Sequence, residues 1–275
     1  MSRHDEQHDA PVAHVARKRF GQNFLHDPGI LRRIVELVAP RPGQRLVEIG
    51  PGQGALTLPL LRAAGSLTAI ELDRDLIEPL KAKAAGLGEL EVISADALTV
   101  DFGALAQGAK IRLVGNLPYN ISTPILFHCL EHAGAIDDMH FMLQKEVVER
   151  MAAPPGSKTY GRLSVMLQLR CTVEPLLRVP PGAFRPAPKV DSAVVRLVPL
   201  PSAQLPDVGH DALDRVVRAA FGQRRKTLSN ALSGLLDAAA IEAAGVDPRA
   251  RAEQLAPHAF VALAQRLSGA SPPPT

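Results

Sequence analysis

Residues 45–57 read RLVEIGPGQGALT. The apolar run Arg45–Ile49 breaks into Gly50-Pro51-Gly52-Gln53-Gly54, and apolar residues then resume through Leu61. A strand that ends in a glycine turn and enters a helix is the opening of a βαβ unit. Working outward, the alternation continues. Ser66–Leu72 reads as a second strand and Asp75–Ala85 as a helix; Leu90–Ser94 and Ile111–Gly115 are further strands, Ile125–Leu130 lies in a helix, and Met139–Leu143 is a fifth strand. Upstream, Asp27-Pro28 supplies an N-cap and a first helical position. They precede an apolar stripe of Ile30, Leu31, Ile34, Val35 and Val38, which Pro40 and Pro42-Gly43 end. Strands alternating with helices predict an α/β fold, a mostly parallel sheet with helices on both faces. Ligands of such sheets bind beyond the carboxyl ends of the strands. That rule brings residues 48–54, Glu71, Asp96 and residues 115–119 to one rim.

Beyond the Pro-rich stretch 179–188 comes a strand-like Ser192–Leu197, then a linker at 199–209. Thereafter the pattern is helical. Leu213, Val216, Val217 and Ala220 form one stripe, Leu228, Leu232, Leu235 and Leu236 another, and 261–267 fits a last helix. The domain plan expected is a disordered polar tail at 1–16, a main α/β domain at 17–204, a small all-helical domain at 205–270 and a frayed tail at 271–275. His4, His8 and His14 fall in the N-terminal tail, where no fixed geometry would make them metal ligands.

The chain has 275 residues, 46% hydrophobic and 21% charged. That length suits a main domain and a small second one. It contains no unbroken apolar run of about 18 residues, so no membrane span is expected. Its first twenty residues lack the apolar core of a secretory signal. Cys129 and Cys171 stand far apart without a CxxC partner, which argues against a disulfide framework or cysteine zinc site and fits a reducing cytoplasm. Residues 140–230 carry fourteen basic groups against seven acidic ones, most of the excess being arginine. Arginine forks pair bidentately with phosphate oxygens, so a polyphosphate partner and a solvated basic face are the two explanations.

The glycine turn alone leaves its cofactor open. Gly50, Gly52 and Ala55 fit a dinucleotide fingerprint with Glu71 about 20 residues on, where an acid would hold a ribose diol. Gly50, Gly52 and Gly54 fit the turn of S-adenosylmethionine enzymes equally well. Asp96 is either a helix N-cap or an acceptor for an adenine amine. The segment Asn116-Leu117-Pro118-Tyr119 tilts the balance. An adenine amine is a poor nucleophile because its lone pair is delocalised into the ring. To methylate it, an enzyme must hold both N–H bonds so that the nitrogen pyramidalises toward the methyl group. The Asn116 side-chain carbonyl and the Leu117 backbone carbonyl could be those acceptors. Pro118 removes a donor and stiffens the loop, and Tyr119 offers a stacking face worth ~1–3 kcal/mol. A plain turn after a strand is the competing explanation.

With these segments in hand, the chain resembles the 16S ribosomal RNA adenine N6-dimethyltransferase family. The resemblance rests on GQNFLHDP (21–28), VEIGPGQGALT (47–57), IELDRDL (70–76), DA (96–97), GNLPYNISTPILF (115–127), MLQKEVVERM (142–151), YGRLSVMLQ (160–168), FRPAPKVDSAVVRL (184–197) and FGQRRKT (221–227). It implies a Rossmann-like S-adenosylmethionine methyltransferase sheet followed by a small helical rRNA-recognition domain. The implied reaction moves methyl groups from S-adenosyl-L-methionine to the N6 amines of two adjacent adenines in the 3′-terminal hairpin loop of 16S rRNA. The implied substrate is the assembling 30S subunit, and the enzyme a cytoplasmic monomer using no metal. The resemblance places the cofactor on Asn23, Leu25, Gly50, Gly52, Glu71, Asp96 and Asn116. It makes Phe184 a second aromatic stacking on the flipped adenine opposite Tyr119; the basic, Pro-rich flanks of Phe184 argue against a buried role, and a core residue that anchors the loop is the alternative, since large aromatics usually bury. Lys189, Arg196, Arg224, Arg225 and Lys226 are the rRNA phosphate candidates, the last three opening a helix. Tyr160-Gly161-Arg162 and Gln144-Lys145 lie in matched segments without a physical role. Three rivals remain: a large-subunit rRNA adenine methyltransferase of the resistance type, a ribosome-assembly factor acting by binding alone, and a nicotinamide dehydrogenase, which leaves 116–119 unexplained.

Overall fold

The computed structural model describes residues 23–223 and 225–269. The tails expected at 1–16 and 271–275, with His4, His8 and His14, lie outside the described residues, as does Arg224.

The first strand is the two-residue β1 (Phe24–Leu25), followed by α1 (Pro28–Val38). The Asp27 carboxylate accepts from the backbone N–H groups of Gly29 and Ile30 at 2.8 and 2.9 Å. Ala39, in the left-handed region at φ 46°, closes the helix. This is the N-cap and Pro-start that the sequence predicts. Next come β2 (Arg45–Ile49), α2 (Thr57–Ala64), β3 (Ser66–Glu71), α3 (Ile77–Ala84) and β4 (Glu89–Ser94). Then follow α4 (Phe102–Ala106), β5 (Ile111–Asn116), α5 (Ser122–Glu131), β6 (Ile136–Gln144), α6 (Lys145–Met151) and α7 (Arg162–Gln168). The sheet is completed by β7 (Cys171–Val179) and β9 (Ser192–Pro199), with the two-residue β8 (Phe184–Arg185) between them.

Seven strands form one sheet in the order β4-β3-β2-β5-β6-β9-β7, and β1 pairs with β8 separately. The strands from β4 to β6 are parallel, whereas β9 runs antiparallel to both β6 and β7. The sheet is thus Rossmann-like and mostly parallel. Chain order reverses between β2 and β5, which makes their carboxyl ends the crevice at a topological switch point.

Both faces are buried, as alternating residues show. Val47, Leu113 and Phe141 face a core with α4 to α7, whereas Leu46, Val114 and Met142 face one with α1 to α3. Strand β7 has no counterpart among the strands expected from sequence. It carries Pro175 at a register shift against β9, and proline is tolerated there because β7 is an edge strand.

A second core gathers around α8 (His210–Gly222), α9 (Leu228–Ala231), α10 (Ala238–Ala243) and α11 (Pro257–Leu267). It also takes in Ala153, Tyr160, Val165 and Met166 from the segment before β7. Tyr160 ties the units together: its hydroxyl donates to the Leu255 carbonyl at 2.9 Å, and its ring meets Phe221 edge-on. Arg162 makes a second tie, with its guanidinium 2.7 Å from Asp214 and over the Phe127 ring of α5. Two expectations are corrected here. The stripe Leu228 to Leu236 is not one helix, since α9 ends at Ala231 and Asp237 caps α10. Arg225 and Lys226 do not open a helix; they sit exposed in the turn between α8 and α9. Among the described residues, no helix is long and apolar enough to cross a membrane.

Candidate active site at the strand ends

A cavity of about 1110 Å³ opens at the carboxyl ends of β2, β3, β4 and β5. It is somewhat larger than a typical single-ligand pocket, room for a nucleotide-sized cofactor and part of a second substrate. The segments 48–52, Glu71, Asp96 and 116–119 all line it, so the strand-end rule brings together what the sequence analysis placed on one rim.

Gly50, Gly52 and Gly54 take φ values of +69°, +57° and +87°. At Gly52 the need is also spatial. A methyl group built there would lie 3.1 Å from the Phe24 ring, so a side chain would collide with the aromatic that covers the turn. Glu71 locks the turn from β3: one oxygen accepts from the Gly52 N–H at 3.1 Å, the other from the Asp73 N–H at 2.8 Å. Burial raises the Glu71 pKa, opposed by those backbone donors. Asp96 is the N-cap that the sequence offers as one of its two descriptions. One oxygen caps the turn 97–99 by accepting from the Leu98 N–H at 3.0 Å, and the residue still lines the cavity.

Two neighbours are fixed by sequence-distant partners. The Asn116 amide donates to the Asn23 carbonyl at 3.0 Å. That bond assigns the donor end of the side chain and leaves Oδ1 as an acceptor without a partner among the described residues. The Leu117 N–H donates to the Met142 carbonyl of β6 at 3.1 Å, while its side chain is buried beneath the loop. The Tyr119 hydroxyl is 2.7 Å from the Ser192 hydroxyl of β9, and burial raises its pKa. The ring is therefore anchored at its far end and half-buried at the cavity wall. Asn23, Leu25 and Pro118 line the same cavity.

Phe184 departs from its expected place. It is 3% exposed because β8 pairs with β1, setting Phe184 against Leu25. Its side chain joins the core with Leu56, Val114 and Met142, and it presents no free face opposite Tyr119. Arg196 departs too. It lies mid-strand opposite His140, four residues from the rim end of β9, and is paired at 3.3 Å with the buried Asp138. Asp138 also holds Arg112 at 2.8 Å, so Arg196 belongs to a network at the other end of the sheet. Lys189, Arg225 and Lys226 are exposed.

Among the lining residues without a role from sequence are Phe24, Leu72 and Glu48. Phe24 gives no signal, since its packing on Gly52 depends on the β1–β8 pairing. Leu72, a large apolar residue left exposed beside Glu71, supplies a flat apolar wall. Glu48 does give a signal: it is an acid among Leu46, Val47 and Ile49 in a strand buried on both faces. Burial pushes its pKa up to about 8, with repulsion from Glu71 adding to the shift. Its Oε2 is buried without a hydrogen-bond partner among the described residues. An orphaned carboxyl oxygen at the cavity floor, a cradle only glycine permits, and acids on two further strand ends together suit a ligand bearing positive charge, hydroxyls and an amine.

The chain matches the family model described as ribosomal RNA adenine dimethylase over residues 13–268. A protein of Xanthomonas campestris pv. campestris named ribosomal RNA small subunit methyltransferase A is 65% identical over 90% of this chain and 95% of its own length. Its namesake in Xanthomonas axonopodis pv. citri is 64% identical over the same shares. Among solved structures, a dimethyladenosine transferase from Plasmodium falciparum superposes with a TM-score of 0.76 at 29% identity, covering 87% of this chain and 95% of that one. The 23S rRNA methyltransferase ErmE superposes with a TM-score of 0.69 at 30% identity, covering 90% and 100%.

Proposed function

This chain belongs to the ribosomal RNA adenine dimethylase family, and from that membership we propose that it dimethylates the N6 amines of two adjacent adenines in the 3′-terminal hairpin loop of 16S rRNA. The observation that carries this reading is the shared cavity: Asn116, Leu117 and Tyr119 open onto the same space as Gly50, Gly52, Glu71 and Asp96. The donor is S-adenosyl-L-methionine, which supplies a methyl group already activated on a sulfonium. Glu71 would hold its ribose diol, Asp96 its adenine amine, and Glu48 with the glycine turn its methionine end. Asn23 and Leu25 close the N-terminal side.

The protein's own contribution is to hold the target amine. In the first transfer Asn116 Oδ1 and the Leu117 carbonyl accept hydrogen bonds from the two N6–H groups, and in the second the single remaining N–H donates to one of them, drawing the nitrogen toward a pyramidal shape with its lone pair facing the methyl group. Asn116 stays neutral, so it orients the amine and takes no proton; the acidic adduct loses its extra proton to water. Tyr119 stacks on the extruded base, its tilt set by Ser192. Placement of this kind removes much of the barrier, since reacting atoms held in line behave as if at very high concentration.

The substrate is the assembling small subunit in the cytoplasm, engaged by a monomer. The helical region 205–270 recognises rRNA shape, and Lys189, Arg225 and Lys226 contact phosphate. Support for the small-subunit substrate comes from the margin between 65% identity to small-subunit methyltransferases and 30% to a 23S enzyme. The test offers wild-type protein and labelled S-adenosylmethionine to undermethylated 30S and 50S subunits, with the modified nucleosides mapped by mass. Dimethyladenine confined to the 3′-terminal 16S hairpin is the expected result. Transfer to 23S RNA alone would redirect the reading to the large subunit, and tight 30S binding without transfer would leave only an assembly role.

A further inference from the structure

The cavity's charges are sorted by location. The lining acids Glu48, Glu71, Asp73 and Asp96 come from β2, β3 and β4 or the turns that follow them, whereas Arg185 lines the cavity from β8, beside Pro186. Among the described residues, Arg185 is the only lysine or arginine that lines the cavity. Its backbone is fixed, because β8 pairs Arg185 with Phe24 of β1. Its side chain is exposed, while the nearby Arg178 is already engaged by Asp191 at 2.6 Å. The Arg185 side chain has neither an ion pair nor a hydrogen bond to any described residue.

A base drawn out of an RNA strand and stacked on Tyr119 brings its own ribose and flanking phosphates to the cavity mouth. Extrusion costs unstacking energy, so something at the mouth must hold the displaced backbone. A guanidinium fork matches a phosphate's paired oxygens, and Arg185 lines the cavity with its side chain exposed. Resting on the function proposed above, we infer that Arg185 binds a phosphate of the flipped target adenosine, making it a specificity residue that distinguishes a nucleotide in a strand from a free base.

The experiment compares wild type, Arg185→Ala, Arg185→Lys and the charge control Arg62→Ala, an exposed arginine in the last turn of α2, on undermethylated 30S subunits. Steady-state KM is measured at several salt concentrations, and S-adenosylmethionine affinity by calorimetry. Arg185→Ala should raise KM on the order of tenfold, the loss of one charge-assisted pair, and reduce the salt slope of log KM by about 0.7, the value for one phosphate contact on single-stranded RNA. Arg185→Lys should restore the salt slope but not the full affinity, because an ammonium is a point charge. Arg62→Ala should match wild type, and cofactor affinity should not change. An unaltered KM and slope in Arg185→Ala would overturn the inference. Weakened cofactor binding with an unaltered slope would overturn it in a different way, assigning the guanidinium to the cofactor's carboxylate. Failure of the wild type itself to methylate 30S subunits would overturn the proposed function along with it.

Discussion

Gly115 sits where β5 passes closest to β2 at the switch point, one residue before Asn116. A methyl group built on it would lie 2.6 Å from the Ile49 carbonyl oxygen and 3.1 Å from Leu117 Cδ2. Carbon–oxygen contacts between adjacent strands settle at about 3.3–3.6 Å, so Gly115→Ala must move backbone by roughly 0.7 Å or more. Neither neighbour yields easily: Ile49 is 2% exposed and Leu117 1% exposed. Overpacking of this kind costs about 1–3 kcal/mol. The displacement falls on the Asn116 and Leu117 acceptors, where an error near 1 Å can cost on the order of 100-fold in rate. Urea unfolding should therefore show the modest stability loss, and single-turnover methylation at saturating cofactor the larger loss in rate. Gly134→Ala is the matched control, since a methyl there meets nothing within 4 Å. If Gly115→Ala kept wild-type stability and turnover, the close approach of β5 to β2 would not be what sets the acceptors.

Glu48→Gln tests the buried acid through pH. With its folded pKa pushed up to about 8, the folded protein keeps a proton that the unfolded chain releases near pH 4.5. Wild-type stability should then fall relative to Glu48→Gln from about pH 5 to pH 8, by up to roughly 1.4 kcal/mol per pH unit. The folded pKa of His140, lowered to about 4 by burial, contributes the opposite slope between about pH 4 and 6.5 and cancels in the difference between variants. Parallel unfolding curves at pH 5 and pH 8.5 would refute the shift. Tyr160→Phe strands the buried Leu255 carbonyl and should cost about 1–3 kcal/mol, read as faster hydrogen exchange in α11; unchanged exchange would remove that tie. Replacing Arg225 and Lys226 with alanine should weaken 30S binding and flatten its salt dependence, and an unchanged slope would remove both from the interface.

The strand ends were legible because each is announced locally. An apolar run that stops at Gly50, Asp96 or Asn116 marks both an element boundary and a site position, and the switch-point rule then gathers them. Features that depend on distant partners were not. Phe184 lies among Pro and basic residues that suggest exposure, yet pairing with Leu25 buries it. Arg196 reads as a free cation until β6 sets Asp138 beside it. Strand β7 hides behind Pro175, tolerated only because the strand lies at the edge. Tyr160 and Arg162 acquire roles only when Leu255 and Asp214 are folded against them. Glu48 was legible in principle, as an acid between the apolar Val47 and Ile49 in a strand buried on both faces.

The central claim is that Asn116, turned by the Asn23 carbonyl so that Oδ1 faces the substrate, holds the amine that is methylated. The direct test is labelled methyl transfer to undermethylated 30S subunits by Asn116→Ala, alongside calorimetry of its S-adenosylmethionine binding. The account predicts dimethyladenine formation reduced to background, while the variant stays folded and keeps most of its cofactor affinity. Dimethylation at the wild-type rate by Asn116→Ala would contradict it.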